Sequence, residues 1–316
     1  MPEREITEPV DLCLPDGRLN PDAVGWSRTP LHRANLRGWG RAKRWEYWGV
    51  VTPRLCLGVV ASALDYAGVC SVWVLDRETG RTWSHEEVPP LGRGVSLPTA
   101  VGGRALVTAG QLHIELEADR VRVSAPAIEV DLAVGAGGEC LGVVVPWSSR
   151  RFQYTVKDVS RPVTGRVVLD GTAYDVTEGW AVLDHGRGKW PYSITWNWAA
   201  GSSERVGITI GGKWTDGTGS TENALFVDGR AHKIGDELAW EYDRSDWRRP
   251  WRIHGPRLDA TLTPFHERAD RTNLGVVANE THQCFGHWSG WASTDDGERV
   301  SLDGLVGWAE EARNRW

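Results

Sequence analysis

The strongest constraint on the fold is an alternation of apolar and polar residues along much of the chain. It is clearest in the segments 112–117, 120–123, 128–132 and 258–262, where apolar side chains occupy every second position. Successive side chains of an extended strand point to opposite faces, so each segment predicts a strand with one buried face. The chain is therefore expected to consist largely of half-buried strands.

Turn signals between these segments favour antiparallel pairing. Asp-Gly pairs occur at residues 170–171, 228–229 and 296–297. Glycine accepts a positive φ at low cost, so each pair is suited to a two-residue hairpin. The predicted fold class is all-β and antiparallel, with little helix. Two segments are helix candidates: Pro30 to Leu36, as a short turn, and Leu305 to Trp316, whose Ala-Glu-Glu-Ala stretch could instead end a strand.

Several functional classes lack their sequence signals. Strands and helices do not alternate, so a doubly wound parallel sheet with its nucleotide site is not expected. The glycine-rich segment 135–138 has neither the P-loop lysine nor a following helical pattern and is predicted to be a loop. The chain also lacks the Gly-x-Ser-x-Gly and His-Glu-x-x-His motifs. These absences give no support to the standard hydrolase, zincin and phosphotransfer classes.

The length of the chain, 316 residues, predicts two domains or one large β body. A boundary is expected after the stretch Arg161 to Gly165, where a new strand pattern begins. Tryptophan density also changes nearby, because 12 of the 19 tryptophans lie from Trp180 onward. The predicted domains span residues 20–180 and 181–316.

Charge and cysteine content restrict the partners and the compartment. A net charge of −6 provides no positive field for nucleic acid, so a nucleic-acid partner is not expected. The sequence has no apolar run of about 18 residues and begins with an acidic segment, so neither a transmembrane segment nor a secretory signal is predicted. The five cysteines form no Cys-x-x-Cys pair. We expect a soluble cytoplasmic protein without a disulfide scaffold, and the oligomeric state stays open.

The segment 184–201 is the first candidate for a functional site. Its glycines let the backbone bend and pass close to a ligand, and its tryptophans offer flat apolar surfaces with one N–H donor each. Asp184 and His185 are adjacent in a predicted strand, so their side chains should point to opposite faces. A turn-capping carboxylate is the alternative for Asp184. The candidates are Asp184 and His185 as catalytic residues and Trp190, Tyr192, Trp196 and Trp198 as ligand-binding residues.

A second candidate is the loop segment 211–225, which mixes small residues with acids, an amide and a tryptophan. Such an inventory can transfer protons and orient a ligand, although a solvated hairpin loop would use the same small residues. The flanking apolar segments would carry this loop across the mouth of a barrel. The candidates are Asp216 and Glu222 as catalytic residues and Trp214 and Asn223 as ligand-binding residues.

The third candidate, segment 281–291, contains His282, Cys284 and His287. All three residue types bind zinc, but structural zinc sites show paired spacings, and this segment has no second pair. In a strand, His282 and Cys284 would share one face and His287 would take the other. We therefore predict no metal site, with His282 and His287 as ligand-binding residues.

Five segments together resemble a known family. They are LHRANLRGWGRAKRWEYWGV (31–50), DHGRGKWPYSITWNWAAG (184–201), GGKWTDGTGSTENALFVDG (211–229), QCFGHWSGWASTDDG (283–297) and LVGWAEEARNRW (305–316). In these residues the chain resembles the uncharacterised bacterial proteins grouped as domain of unknown function 2804. Residues 164–186 are more remotely similar to the carotenoid 1,2-hydratase (hydroxyneurosporene synthase) superfamily. There a tryptophan follows the Asp-His pair within a couple of residues, whereas here it follows at Trp190.

The resemblance implies two lipocalin-like β-barrels packed together, with a pocket in or between them. Relatives in the wider group include hydratases and cyclases that act on isoprenoids and polyketides without a cofactor, and others that only bind. By this resemblance no cofactor is expected, and the partner is a hydrophobic or aromatic-stacking small molecule. Fold analogy alone does not establish the function.

Three functions remain open from the sequence. The first is a cofactor-independent hydratase, lyase, isomerase or cyclase, in which Asp184, Asp216 or Glu222 moves protons beside tryptophan walls. The second is a lipocalin-like binder of a lipophilic ligand. The third is a glycan-binding or glycan-active protein, because tryptophan platforms beside acids also describe a sugar site. Whichever function applies, four tryptophans are expected to contribute to one pocket wall: Trp190, Trp196, Trp198 and Trp214.

Overall fold

A computed structural model gives the arrangement of residues 3–273 and 278–315, so Trp316 of the predicted C-terminal segment lies outside the described residues. The chain divides into two units. The first unit is Ile6–Trp190, and the second comprises Pro191–Trp316 together with residues 1–5. The predicted domain boundary between residues 180 and 181 falls inside a strand of the first unit, Trp180–Lys189.

The first unit is built from strands and one short 3₁₀ helix, Pro21–Ala23. Its strands are β1 (Val10–Asp11), β2 (Trp26–Ser27), β3 (His32–Arg33), β4 (Ala42–Val51), β5 (Leu55–Ala63), β6 (Gly68–Asp76), β7 (Thr82–Glu87), β8 (Val95–Ser96), β9 (Ala105–Ala109), β10 (Leu112–Glu117), β11 (Arg120–Ala125), β12 (Ile128–Val134), β13 (Leu141–Ser148), β14 (Arg151–Leu169), β15 (Thr172–Val176) and β16 (Trp180–Lys189). Within the described residues, β1 and β3 form a short parallel pair, and the remaining 14 strands form one sheet. The order of its main path is β7-β6-β5-β4-β16-β14-β12-β11-β10-β9-β8.

The second unit contains a separate antiparallel sheet. Its strands are β17 (Ser193–Ser202), β18 (Val206–Gly212), β19 (Ala224–Val227), β20 (Arg230–Lys233), β21 (Ala239–Glu241), β22 (Trp251–Gly255), β23 (Leu258–Asn273), β24 (Ala278–Ser293), β25 (Arg299–Ser301) and β26 (Val306–Arg315). Their order is β20-β19-β18-β17-β26-β24-β23-β22-β21, with β25 paired to β24.

The alternation in the sequence corresponds to strands with one buried face. The segments predicted from residues 112, 120, 128 and 258 onward are β10, β11, β12 and the start of β23. In β12 every second residue is buried, and these residues belong to the apolar core of the first unit. A second core fills the other unit and includes Trp251 and Trp288. The prediction of an all-β antiparallel fold is confirmed.

Two of the three predicted Asp-Gly hairpins are confirmed, whereas the pair 296–297 lies in the longer connection between β24 and β25, where Gly297 but not Asp296 has a positive φ. Asp170 and Gly171 have φ values of 49° and 79° and join β14 to β15. Asp228 and Gly229 join β19 to β20 in the same way. Positive φ at both central positions is the geometry that matches the right-handed twist of paired strands.

Neither helix candidate forms a helix, and for the described part of the C-terminal segment the alternative of a strand is confirmed. The segment Pro30 to Leu36 contains β3, and the described part of the C-terminal segment lies mainly in β26. Strand β26 pairs with β17 on one side and β24 on the other, so its backbone groups are bonded across the sheet. This tertiary pairing outweighs the local helix preference of Ala and Glu. Within the described residues, no helix has the length and apolar character that a membrane crossing requires.

Gly307 in β26 occupies a position with no room for a side chain. A Cβ atom there would lie 1.9 Å from the carbonyl oxygen of Ala200 on β17. We expect Gly307→Ala to lower the free energy of unfolding by about 1–3 kcal/mol or more, since the neighbouring backbone has to shift. Thermal denaturation followed by circular dichroism measures this loss. The control is Gly235→Ala, where the new Cβ would be 3.8 Å from Glu3, and equal losses in both variants would contradict the prediction.

Candidate functional site

The second unit contains an open cavity of about 770 Å³. Its volume falls in the range of small-molecule sites in proteins. One strand residue of β17, the loop after β18 and the loop after β21 provide most of its polar lining. The lining residues are Asn197, Lys213, Asp216, Leu238, Ala239, Trp240, Tyr242, Asp243 and Arg244.

Strand register brings polar groups to the inner face of the sheet. Asn197 of β17 lies directly opposite Glu311 of β26. Ala199, two residues after Asn197, and Ala309, two residues before Glu311, belong to the apolar core of this unit. Because side chains alternate along a strand, Asn197 and Glu311 face the same interior as these alanines. The apolar interior therefore ends in a polar cluster.

Glu311 is the centre of this cluster. Its Oε2 accepts hydrogen bonds from Lys213 Nζ, the Tyr242 hydroxyl and Arg244 Nη2, the last at 2.7 Å. Arg313 Nη2 lies 2.7 Å from its Oε1. Burial would raise the pKa of Glu311, but the hydrogen bonds from Lys213, Tyr242 and Arg244 outweigh it and lower this pKa to about 2. Glu311 is therefore an ionised, buried carboxylate.

The Tyr242 hydroxyl is held at the wall of the cavity by charged groups. Lys213 Nζ donates to it at 2.7 Å, and the hydroxyl itself donates to Glu311. Asn197 adds a weaker contact at 3.2 Å, and the Tyr242 ring stacks on Trp251 at 4.1 Å and 9°. A phenol so placed can give a proton to a ligand, because the Lys213 ammonium stabilises the resulting phenolate.

The cavity also has an apolar wall, which consists of Trp240, Leu238 and Ala239. Gly212 at the end of β18 makes room for this wall, because a Cβ there would lie 2.6 Å from Trp240 Nε1. The indole can therefore lie directly against the backbone. The cavity thus combines a charged cluster with an apolar surface.

Among the residues predicted from the loop 211–225, Asp216 lines this cavity. It is exposed, and its Oδ1 accepts the backbone N–H of Lys213 at 2.8 Å. Glu222 is wholly buried. Burial lowers the pKa of the nearby Lys233, and the carboxylates of Glu3 and Glu222 oppose this shift. Asn223 fixes the end of the loop: its Oδ1 accepts the N–H of Gly211 at 2.9 Å.

The tryptophans predicted in β17 lie on the other face of that strand. Because Asn197 points into the cavity, Trp196 and Trp198 on either side of it point away. Trp196 Nε1 donates to Glu310 at 3.0 Å, and its ring is 5.8 Å from the ring of Trp214. Trp198 packs edge-on against Trp308 with ring centroids 5.3 Å apart. Tyr192, just before β17, is 43% exposed.

In the first unit, His185 belongs to a buried charged cluster. Its Nδ1 is 2.8 Å from Glu46 Oε1, and Arg187 Nη2 donates to the same oxygen at 2.6 Å. Burial lowers the pKa of His185, although Glu46 opposes this shift. Burial would raise the pKa of Glu46, but His185 and Arg187 together outweigh it and lower this pKa.

Asp184 lies on the opposite face of β16 from His185, as strand alternation predicts. Its Oδ1 accepts hydrogen bonds from Thr155 Oγ1 and Lys157 Nζ, both at 2.9 Å. Trp190, the last residue of the first unit, donates from Nε1 to Gln153 and packs edge-on against Trp45.

The histidines of the third candidate segment lie in β24. His282 Nδ1 is 2.8 Å from Glu267 Oε1, and its ring stacks on Trp247 at 4.1 Å. His287 is exposed, with its ring 5.3 Å from Phe265. Within residues 3–273 and 278–315, no group of three or more His, Cys, Asp or Glu side chains is arranged to hold a metal ion.

Sequence reasoning missed the residues that form the polar cluster of the cavity: Asn197, Lys213, Tyr242, Arg244 and Glu311. Two of them, Asn197 and Lys213, stand in the segments singled out from the sequence. Glu311 carries a weak signal, because it is a charged residue on the same face of β26 as the buried Ala309.

Comparisons with known proteins agree with this architecture. Residues 3–316 match the family described as "Domain of unknown function (DUF2804)". No curated protein matches the chain. A solved protein described as AttH from Nitrosomonas europaea has a TM-score of 0.57 at 13% identity, over 86% of this chain and 92% of that chain. CghA has a TM-score of 0.56 at 13% identity, over 98% of this chain and 97% of that chain.

A second structure of CghA, solved with Sch210972, has a TM-score of 0.53 at 12% identity, over 87% of this chain and 88% of that chain. At these identities the likeness establishes the fold alone. The predicted lipocalin-like fold class is confirmed.

Proposed function

We propose that the chain, which belongs to the DUF2804 family, is a cofactor-independent enzyme that acts on a hydrophobic small molecule by acid–base catalysis. The reaction is of the hydratase, lyase, isomerase or cyclase type and takes place in the cavity of the second unit. The observation that carries the proposal is the Tyr242 hydroxyl, held between the Lys213 ammonium and the Glu311 carboxylate at the wall of that cavity.

In this proposal Tyr242 is the proton donor. The O–H bond, which points to Glu311 in this structure, turns to the substrate, and the hydroxyl gives its proton to an oxygen or carbon there. The Lys213 ammonium, which donates to the same oxygen, stabilises the resulting phenolate. Glu311 remains ionised and keeps Lys213 and Arg244 in place. Asp216 at the exposed side of the cavity is the proposed proton acceptor, because it is a carboxylate of the lining that is not part of the Glu311 cluster.

The apolar part of the substrate is proposed to lie on Trp240 and Leu238. A planar apolar surface beside a few convergent polar groups is the usual composition of a small-molecule site. A protein of similar fold, CghA, has been solved with Sch210972. The proposal gives no proton transfer to Asp184, His185 or Glu222, which lie outside the cavity lining.

Exchange of carbon-bound hydrogen in D₂O tests the proposal without knowledge of the natural substrate. The intact chain is incubated with a panel of apolar enones and their β-hydroxy ketone hydrates, and deuterium incorporation is followed by NMR. We expect stereoselective incorporation for at least one pair, because addition or removal of water or a proton passes through a carbon acid. If panel members bind but deuterium exchange is no faster than with heat-denatured protein, the result would contradict an enzyme and support a non-catalytic, lipocalin-like binder of a lipophilic ligand.

A further inference from the structure

We infer that the ligand of the second-unit cavity is an organic acid, with a carboxylate or another ionised oxygen acid attached to an apolar body. This inference rests on the proposed function for its site and adds the chemical class of the ligand. It is carried by the charge around Glu311 and by the donors that Glu311 leaves available.

The cluster around Glu311 has a surplus of positive charge. Lys213, Arg244 and Arg313 all contact this one carboxylate. Asp216 also lines the cavity, but it is exposed and adds only one negative charge. Three cationic side chains against one buried carboxylate therefore leave a positive potential at the inner end of the cavity, which favours an anion.

The remaining acid of the lining does not cancel this surplus. Asp243 Oδ2 lies 3.2 Å from Arg249 Nη1, and its Oδ1 accepts hydrogen bonds from the backbone and hydroxyl of Ser245. Its charge is thus already compensated by a cation of its own loop. The potential at the Glu311 end is set mainly by Lys213 and Arg244.

Both cations can bind a second acceptor. Two N–H bonds of Lys213 Nζ point to Tyr242 and Glu311, and within the described residues the third has no other hydrogen-bond acceptor. Arg244 directs Nε and Nη2 toward Glu311, while its side chain remains 54% exposed at the cavity. A carboxylate that enters the cavity therefore finds an ammonium and a guanidinium edge, the two groups that form the strongest hydrogen bonds with it.

The apolar surface lies within the same cavity as these donors. Trp240, Leu238 and Ala239 contribute lining without a charged group. An acid whose charged group reaches Lys213 and Arg244 can place a flat apolar body on this wall. The arrangement selects for amphipathic acids over neutral molecules of the same shape.

Calorimetric titration with 2-naphthoate and 2-naphthamide tests this selectivity, because the two probes share one planar body and differ in charge. We expect the intact chain to bind naphthoate about tenfold or more tightly than naphthamide, since charge-assisted hydrogen bonds are stronger than neutral ones. The preference should decrease with added salt. Arg244→Gln and, separately, Lys213→Gln should each remove most of the preference, because each should weaken the binding of naphthoate far more than that of naphthamide.

Arg205→Gln is the matched control, because Arg205 belongs to the same unit and pairs with Asp228 at the surface. It should retain the full preference for naphthoate. Three results would overturn the inference: equal affinity for the two probes, no binding of naphthoate, or a preference for naphthoate that persists in both Arg244→Gln and Lys213→Gln. Failure of the proposed function gives a different result. Selectivity for the carboxylate without deuterium exchange would contradict the proposed enzyme and support the acid-binding site. Exchange of neutral enones without this selectivity would support the enzyme and contradict the acid-binding site.

Discussion

Tyr242→Phe is expected to lower the rate of deuterium incorporation by about 10²–10⁴-fold, the usual contribution of a positioned acid or base. The substitution removes the hydroxyl that contacts Lys213 and Glu311. It retains the ring that stacks on Trp251 at 4.1 Å. The loss should therefore appear in kcat, with little change in KM, when the exchange rate is measured against substrate concentration.

Tyr174→Phe is the control for this prediction. Tyr174 lies in β15 of the first unit, where Arg54 is positioned over its ring at 5.6 Å. Removal of this hydroxyl should leave the exchange rate unchanged. An unaltered rate in Tyr242→Phe, with the variant folded by circular dichroism, would remove Tyr242 from the chemistry.

Glu46→Gln is expected to cause a large decrease in the free energy of unfolding. Glu46 is the buried anion that both Arg187 and His185 contact. Glutamine keeps the shape but leaves the Arg187 guanidinium buried without its counter-charge. Breaking a buried ion pair in this way costs about 3–5 kcal/mol, which urea denaturation monitored by tryptophan fluorescence measures.

An exposed pair in the same unit provides the comparison. Arg166 and Asp175 form an ion pair in which both side chains are more than half exposed, so Asp175→Asn should change stability far less. The double variant Glu46→Gln/Arg187→Met should be more stable than Glu46→Gln alone, because the uncompensated charge is gone. A small loss in Glu46→Gln, or no recovery in the double variant, would show that the charge of Glu46 does not stabilise the cluster.

Much of the secondary structure follows from local sequence. The alternation at residues 112–117 and 128–132 places every second side chain in the core, as β10 and β12 show. The Asp-Gly turns at 170–171 and 228–229 occur where predicted, because the φ values depend mainly on these residues themselves. Local sequence does not decide between helix and strand for the C-terminal segment, because strand formation there depends on pairing with β17 and β24.

The candidate site was only partly accessible from sequence. The loop 211–225 could be identified from its composition, and it supplies Asp216 and Lys213 to the cavity. Its partners could not, because Glu311 lies 98 residues after Lys213 and 69 after Tyr242. No local pattern relates positions so far apart.

The sequence by itself determined that the chain forms antiparallel strands with one buried face, since side-chain period and turn geometry are local properties. It also placed Asp184 and His185 on opposite faces of one strand. The tertiary structure decided which polar side chains meet. Strand register sets Asn197 opposite Glu311 and His185 opposite Glu46, and a shift of one residue would turn each of them to the other face of its sheet.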